Sequence, residues 1–114
     1  MIGFSESVGK NVTDSMLPAV VLQAGVAKDV ISESITNSSD EIVSIAIFNA
    51  SVANNVYFAY GMDCDNVNNF KGYLTPGEML NVPTRQRVSC FCAGAGLIAR
   101  TVLKRNQALG NKIG

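Results

Sequence analysis

Histidine and tryptophan are absent from the 114 residues, and cysteine and proline occur three times each. Each shortage narrows the chemistry. Without His the chain lacks the usual general base, the usual proton shuttle and the commonest catalytic-zinc ligand. That excludes most hydrolase mechanisms, and no Ser or Cys has a plausible base partner in the sequence. Charge is scarce as well: nine basic and nine acidic residues cancel, and only 16% of the chain is charged. No basic excess is available to neutralise phosphates, which disfavours nucleic acid as a partner. Long apolar runs are also missing. The most apolar stretch, Met16 to Val26, is interrupted by Pro18, Gln23 and Gly25 and reaches about half a membrane span. The start, Met1-Ile2-Gly3-Phe4-Ser5-Glu6, lacks the basic residues and apolar run of a secretion signal. The expectation is a soluble, non-enzymatic protein made in a cytoplasm, with neither a membrane nor a nucleic acid as partner.

An odd number of cysteines cannot close a complete set of intrachain disulfides. Cys90 and Cys92, two apart in an extended segment, point to one face and are badly placed to bridge each other. All three cysteines are expected as reduced, buried, small hydrophobes. Cys64 does not complete a metal site with them. The Asp63-Cys64-Asp65 segment with Asn66, Asn68 and Asn69 is rich in oxygen, yet it lacks the Gly and the late bidentate Glu of a calcium loop. It reads as a polar Asn/Asp loop, so neither metal nor cofactor is expected. Asn11-Val12-Thr13, Asn37-Ser38-Ser39 and Asn49-Ala50-Ser51 match the glycosylation pattern by accident, since no secretion signal accompanies them.

What the chain does contain is β-texture. Apolar residues make up 47% of it, enough for one core, because a chain of this size can bury about two-thirds of its surface. Ala19–Gln23 is a short β-branched run closed by Gly25. Asp29–Thr36 reads as a strand with a bulge or helical turn in it, and Asn37–Asp40 as a turn. Ile42–Phe48 is the strongest strand. Val43, Ile45 and Ile47 share one face and Ile42, Ala46 and Phe48 the other, so both faces call for cover. Val56–Gly61 follows, then the polar 62–71 loop and a short Gly72–Leu74 piece. Thr75-Pro76-Gly77-Glu78 carries the type II turn signature. Met79–Val82 and Gln86–Ala93 are further strands. Ala93-Gly94-Ala95-Gly96 reads as a hairpin turn into a closing strand, Leu97–Lys104.

Turn signals every 8–12 residues with no long helix predict an all-β fold. We expect an antiparallel β-sandwich, or small barrel, of about seven or eight short strands. Its body spans residues 16–105, after an extended N-terminal arm (residues 1–15) and before a loose tail (residues 106–114). The predicted core is Val20, Leu22, Val43, Ile45, Ile47, Val56, Phe58, Val88, Cys90 and Val102. Two partner-binding sets stand out. Ile2, Phe4 and Val8 sit among Gly and Ser in an arm that cannot form a core alone. Arg85 and Arg87 begin a late concentration of positive charge, which reads either as a patch for an acidic surface or as a solvated sheet edge.

The stretch from Ile42 to Lys104 resembles a small phage virion β-sandwich family that includes capsid decoration (cement) proteins. The resemblance lies in the order of pieces: Ser44-Ile45-Ala46-Ile47-Phe48-Asn49, then Asn55-Val56-Tyr57-Phe58-Ala59-Tyr60-Gly61. After a variable loop come Leu74-Thr75-Pro76-Gly77-Glu78, Ala93-Gly94-Ala95-Gly96 and Val102-Leu103-Lys104. It covers a little over half the chain. It implies a bacteriophage virion structural role without catalytic residues. We expect a homo-oligomer, with a trimer favoured, seated on the major capsid protein at the outer capsid surface and attached in part by the arm. A head-fibre base, tail-adaptor or receptor-binding module is the alternative it allows.

Overall fold

Short β-branched runs, punctuated by Gly, Pro and Asn, fold as eight strands in a computed structural model that describes residues 12–36 and 41–105. They are β1 (Val12–Leu22), β2 (Lys28–Ile31), β3 (Glu41–Asn49), β4 (Val56–Tyr60), β5 (Gly72–Leu74), β6 (Met79–Asn81), β7 (Val88–Phe91) and β8 (Gly96–Arg105). One helical turn, Glu33–Thr36, follows β2. Residues 1–11, the Asn37–Asp40 turn and the tail lie outside the described residues.

Two four-stranded sheets result, ordered β1-β8-β3-β6 and β2-β7-β4-β5, and every pairing is antiparallel. First pairs with last, second with seventh, third with sixth and fourth with fifth, and these pairs alternate between the sheets. The chain is thus a single long hairpin, doubled back between β4 and β5 and rolled into a sandwich. That connectivity is a jelly roll, a particular form of the expected antiparallel β-sandwich. The core fills the space between the sheets and includes Leu22, Val30, Ile31, Ile45, Ile47, Val56, Val88, Cys90, Cys92, Ile98 and Val102.

Three expectations need correction. The Ala93–Gly96 segment is no hairpin turn: β7 and β8 lie in different sheets, so it crosses from one layer to the other. The Gly25 N–H donates to Cys92 O at 2.8 Å and holds this corner. Crowding favours Gly96 there, since a Cβ would sit 3.2 Å from the Cys92 sulfur and 3.3 Å from Leu22 and both would have to give by a few tenths of an ångström. Val43 is not core. A bulge between Ile42 and Ser44 adds one residue to β3, which reverses the alternation at that point. Ile42 and Ile45 therefore both face inward, and Val43 is 40% exposed. The other nine predicted core residues are buried. Finally, β1 starts at Val12, inside the segment read as arm, and its first residues pair with the end of β8. Pro18 sits where the register of this pair shifts, between Leu17 and Val20, as suits a residue with no N–H to offer the ladder.

Other readings hold. Asp29–Thr36 combines a bulged strand with a helical turn. In the Thr75–Glu78 turn, Gly77 has φ +89°, and the Glu78 N–H donates to Thr75 O at 3.0 Å. The left-handed conformation is the one a type II turn requires of its third residue.

Candidate interaction surfaces

Of the residues singled out from sequence, Ile2, Phe4 and Val8 lie outside the described residues. Arg85 and Arg87 are placed, and both guanidinium groups are engaged within the chain. Arg85 Nη2 donates to Ile42 O at 2.8 Å, bracing the bulge of β3. Arg87 Nη1 bridges Asp29 Oδ1 at 2.7 Å and Asp63 Oδ1 at 3.0 Å. The Asp63 and Asp29 hydrogen bonds raise the Arg87 pKa. Arg87 thereby ties the entry of β7 to β2 and to the 62–71 loop. Arg100, on β8, turns inward across the open edge between the sheets. Its Nε donates to Pro18 O and its Nη1 to Val30 O, at 2.8 and 2.7 Å. Arg85, Arg87 and Arg100 serve as cross-braces, the first and last on carbonyls that the ladder leaves free and Arg87 on two carboxylates.

Away from the charged residues Asp14, Glu41 and Arg105 at the far ends of β1, β3 and β8, the outer face of the β1-β8-β3-β6 sheet carries an apolar patch. Register places Met79 opposite Phe48, and Phe48 opposite Ala99, in one row across three strands. The next row runs Asn81, Ala46, Thr101. Val21 lies beside Leu97 further along. Met79, Val21 and Phe48 are 60%, 62% and 38% exposed. Between the large side chains the small ones leave a shallow, mostly apolar groove of about 250 Å³, lined by Ala46, Ile47, Phe48, Met79, Ala99, Arg100 and Thr101. The two-faced apolar pattern of Ile42–Phe48 called for cover on both sides, yet no described residue covers this outer side.

The opposite sheet carries aromatic rings. Tyr57 pairs with Tyr73 on one side and Phe91 on the other. Its ring meets Phe70 edge-on at 5.2 Å and Tyr73 at 5.5 Å. The 62–71 loop folds over this sheet beside them. The Cys64 N–H donates to buried Ser89 Oγ at 3.0 Å. Asp65 Oδ1 accepts the N–H groups of Val67, Asn68 and Asn69 at 2.8–2.9 Å. The Asn69, Val67 and Asn68 bonds hold the Asp65 pKa below its usual range. That carboxylate oxygen closes the loop on itself, and among the described residues no cluster of three or more Cys, Asp or Glu could hold a metal.

No family model matches the chain, and no curated protein matches it in sequence.

All three cysteines are free and buried. Burial pushes the Cys64 thiol up to about 12, with the Asp65 charge adding to the effect, and burial likewise raises Cys90. Such thiols are poor nucleophiles, because the thiolate is the reactive form. No helix among the described residues is long and apolar enough to cross a membrane. Both exposed apolar patches escaped the sequence reading. The first had a signal, the doubly apolar β3. The second had none, because Tyr57, Phe70 and Tyr73 are assembled from two strands and a loop.

Proposed function

We propose that this chain is a non-enzymatic virion structural protein, a decoration (cement) subunit on the outer surface of a bacteriophage capsid. The motif order from Ile42 to Lys104 supports the reading. The observation that carries it is the exposed apolar patch built on Phe48, Met79, Ala46 and Ala99. A face of this kind suits assembly, since apolar patches rimmed by polar residues mark protein contacts. Its occupant is a second copy of the chain. Ridge and groove lie side by side on this face, Phe48 and Met79 beside Ala46 and Ala99, so the ridge of one copy can enter the groove of the next head to tail, the heterologous contact that a three-fold ring requires. The chain's zero net charge puts no net repulsion between copies. The resulting homo-oligomer, a trimer in this reading, presents several arms at once. Ile2, Phe4 and Val8 of each arm attach to the major capsid protein, with affinity raised by multivalency.

Sedimentation equilibrium and loading onto undecorated capsids test this. The protein should sediment as a trimer, and Phe48→Glu should sediment as a folded monomer. Deleting residues 1–11 leaves β1 whole, so that variant should fold and form trimers but load poorly. A monomeric native protein would remove the face from the argument, and full loading by the truncated protein would remove the arm. Copy number in virions separates decoration from the alternative. Occupancy across the whole capsid lattice supports decoration, and one set per tail or fibre indicates a head-fibre base, tail-adaptor or receptor-binding module.

A further inference from the structure

The aromatic face of the second sheet has the construction of a ligand site. Tyr57 is wedged between Phe70 and Tyr73 and holds both rings in place, yet those two remain 40% and 53% exposed. Beside them opens a cleft of about 350 Å³ with Ala59 at its base, bordered by Asn68, Asn69, Phe70, Lys71 and Gln86. That volume is at the small end of ligand clefts. The loop that supplies most of this border is fixed before any ligand arrives. Asp65 Oδ1 holds three of its N–H groups. The Asp65 N–H donates to Asn69 O at 2.9 Å, and the Lys71 N–H to Phe58 O at 2.7 Å. The side-chain amides of Asn68, Asn69 and Gln86 make no hydrogen bond to another described residue. They are uncharged groups that both donate and accept.

We propose that this cleft binds a neutral saccharide. A sugar ring offers what these residues lack. Its C–H faces carry slight positive charge and stack on the electron-rich face of Phe70, the exposed ring that borders the cleft. Its hydroxyls, each a donor and an acceptor, pair with the planar amides. A phosphorylated or acidic ligand would find a single cation here, Lys71, and no second positive group among the cleft's border residues. The rigid loop lowers the cost of ordering the site on binding. The site lies on the sheet opposite the proposed subunit contact, so each oligomer would carry several copies facing outward. This inference stands independently of the decoration reading.

The test is an NMR titration of the ¹⁵N-labelled full chain. The probes are glucose, galactose, mannose, rhamnose and N-acetylglucosamine, then maltotriose, cellotriose, mannotriose and chitotriose, with glucuronic acid and glucose 6-phosphate as charged comparisons. At least one neutral probe should give saturable shifts at the amides of residues 68–73 and 86. Phe70→Ala and Asn69→Ala should each weaken it by about ten-fold while the thermal unfolding curve is kept. The proposal is overturned if no neutral probe gives saturable shifts, if both variants bind as the native protein does, or if a charged probe binds more tightly than its neutral counterpart. It is also overturned if Phe70→Ala abolishes capsid loading while no sugar binds, because the patch is then a protein contact.

Discussion

Asn49 shows what one buried polar side chain can hold together. It ends β3 and is fully buried. Its Nδ2 donates to Asn54 O at 2.9 Å and to Leu74 O at 2.7 Å. Its Oδ1 accepts the Ser51 N–H at 2.9 Å. Its backbone N–H donates to Glu78 O and its carbonyl accepts the Gly77 N–H. One residue therefore joins the end of β3, the loop into β4, the end of β5 and the Thr75–Glu78 turn. Removing the amide leaves buried groups unpaired, which costs more than the bonds contribute. Asn49→Ala should lower the unfolding free energy by roughly 2–4 kcal/mol in urea titrations. Asn49→Asp should be worse at neutral pH, because a carboxylate would face two carbonyl oxygens. Its deficit relative to the native protein should shrink once acid protonates that carboxyl. The Asn49-Ala50-Ser51 match to a glycosylation acceptor is accidental in a physical sense too, since this amide is enclosed in the fold.

The β3 bulge is the element on which core and surface are sorted. Strict alternation would pair Val43 with Ile45 and Ile47; the extra residue exchanges Val43 for Ile42 on the inner face. The consequence is testable by substitution along one strand. Val43→Lys should change stability by no more than about 0.5 kcal/mol, as expected for a surface site. Ile45→Asp should prevent folding. A buried unpaired charge costs several kcal/mol against a total of about 5–15, and Ile45 is 1% exposed. Thermal melts followed by circular dichroism would distinguish the pair. A Val43→Lys variant as damaged as Ile45→Asp would refute the register. The bulge also gives Arg85 its place, because the carbonyl of Ile42 at the irregularity is the one its guanidinium reaches.

At the scale of the whole molecule, the missing histidine sets the response to pH. No side chain of ordinary pKa titrates between about pH 5 and 8. Asp65 is held low by the N–H groups of Asn69, Val67 and Asn68, and Glu78 by the hydroxyl and N–H of Thr75. Their contribution is present above the unfolded carboxylate range and is lost as pH falls through the depressed folded values. Cys64 and Cys90 are raised by burial. Their contribution is complete below the unfolded thiol value, about 8.5, and declines as pH rises beyond it, because the unfolded chain then releases protons that the folded one retains. Stability from denaturant titrations should therefore form a plateau from about pH 5 to 8 and fall on both sides. A midpoint that moves steadily across the plateau would contradict this. The same burial should keep all three thiols unreactive to alkylation until the chain unfolds.

Local pattern was enough for the class of fold. β-branched runs spaced by Gly, Pro and Asn state where strands begin and end, and nine of ten predicted core residues are buried because alternation holds wherever the ladder is regular. The Pro76-Gly77 turn was equally legible, since only glycine takes that backbone conformation without strain. Tertiary structure decided what depends on partners distant in sequence. The pairing of first strand with last makes the jelly roll, and nothing near Ala93–Gly96 distinguishes a hairpin from a crossing between sheets. Bulges arise from a mismatch between two strands, so Val43 could not be placed from its own neighbours. The arginines read from sequence as a surface patch or a solvated sheet edge, because sequence reports charge but not the carbonyls and carboxylates that receive it. The two exposed patches combine residues from separate strands and a loop, and only folding brings those residues together.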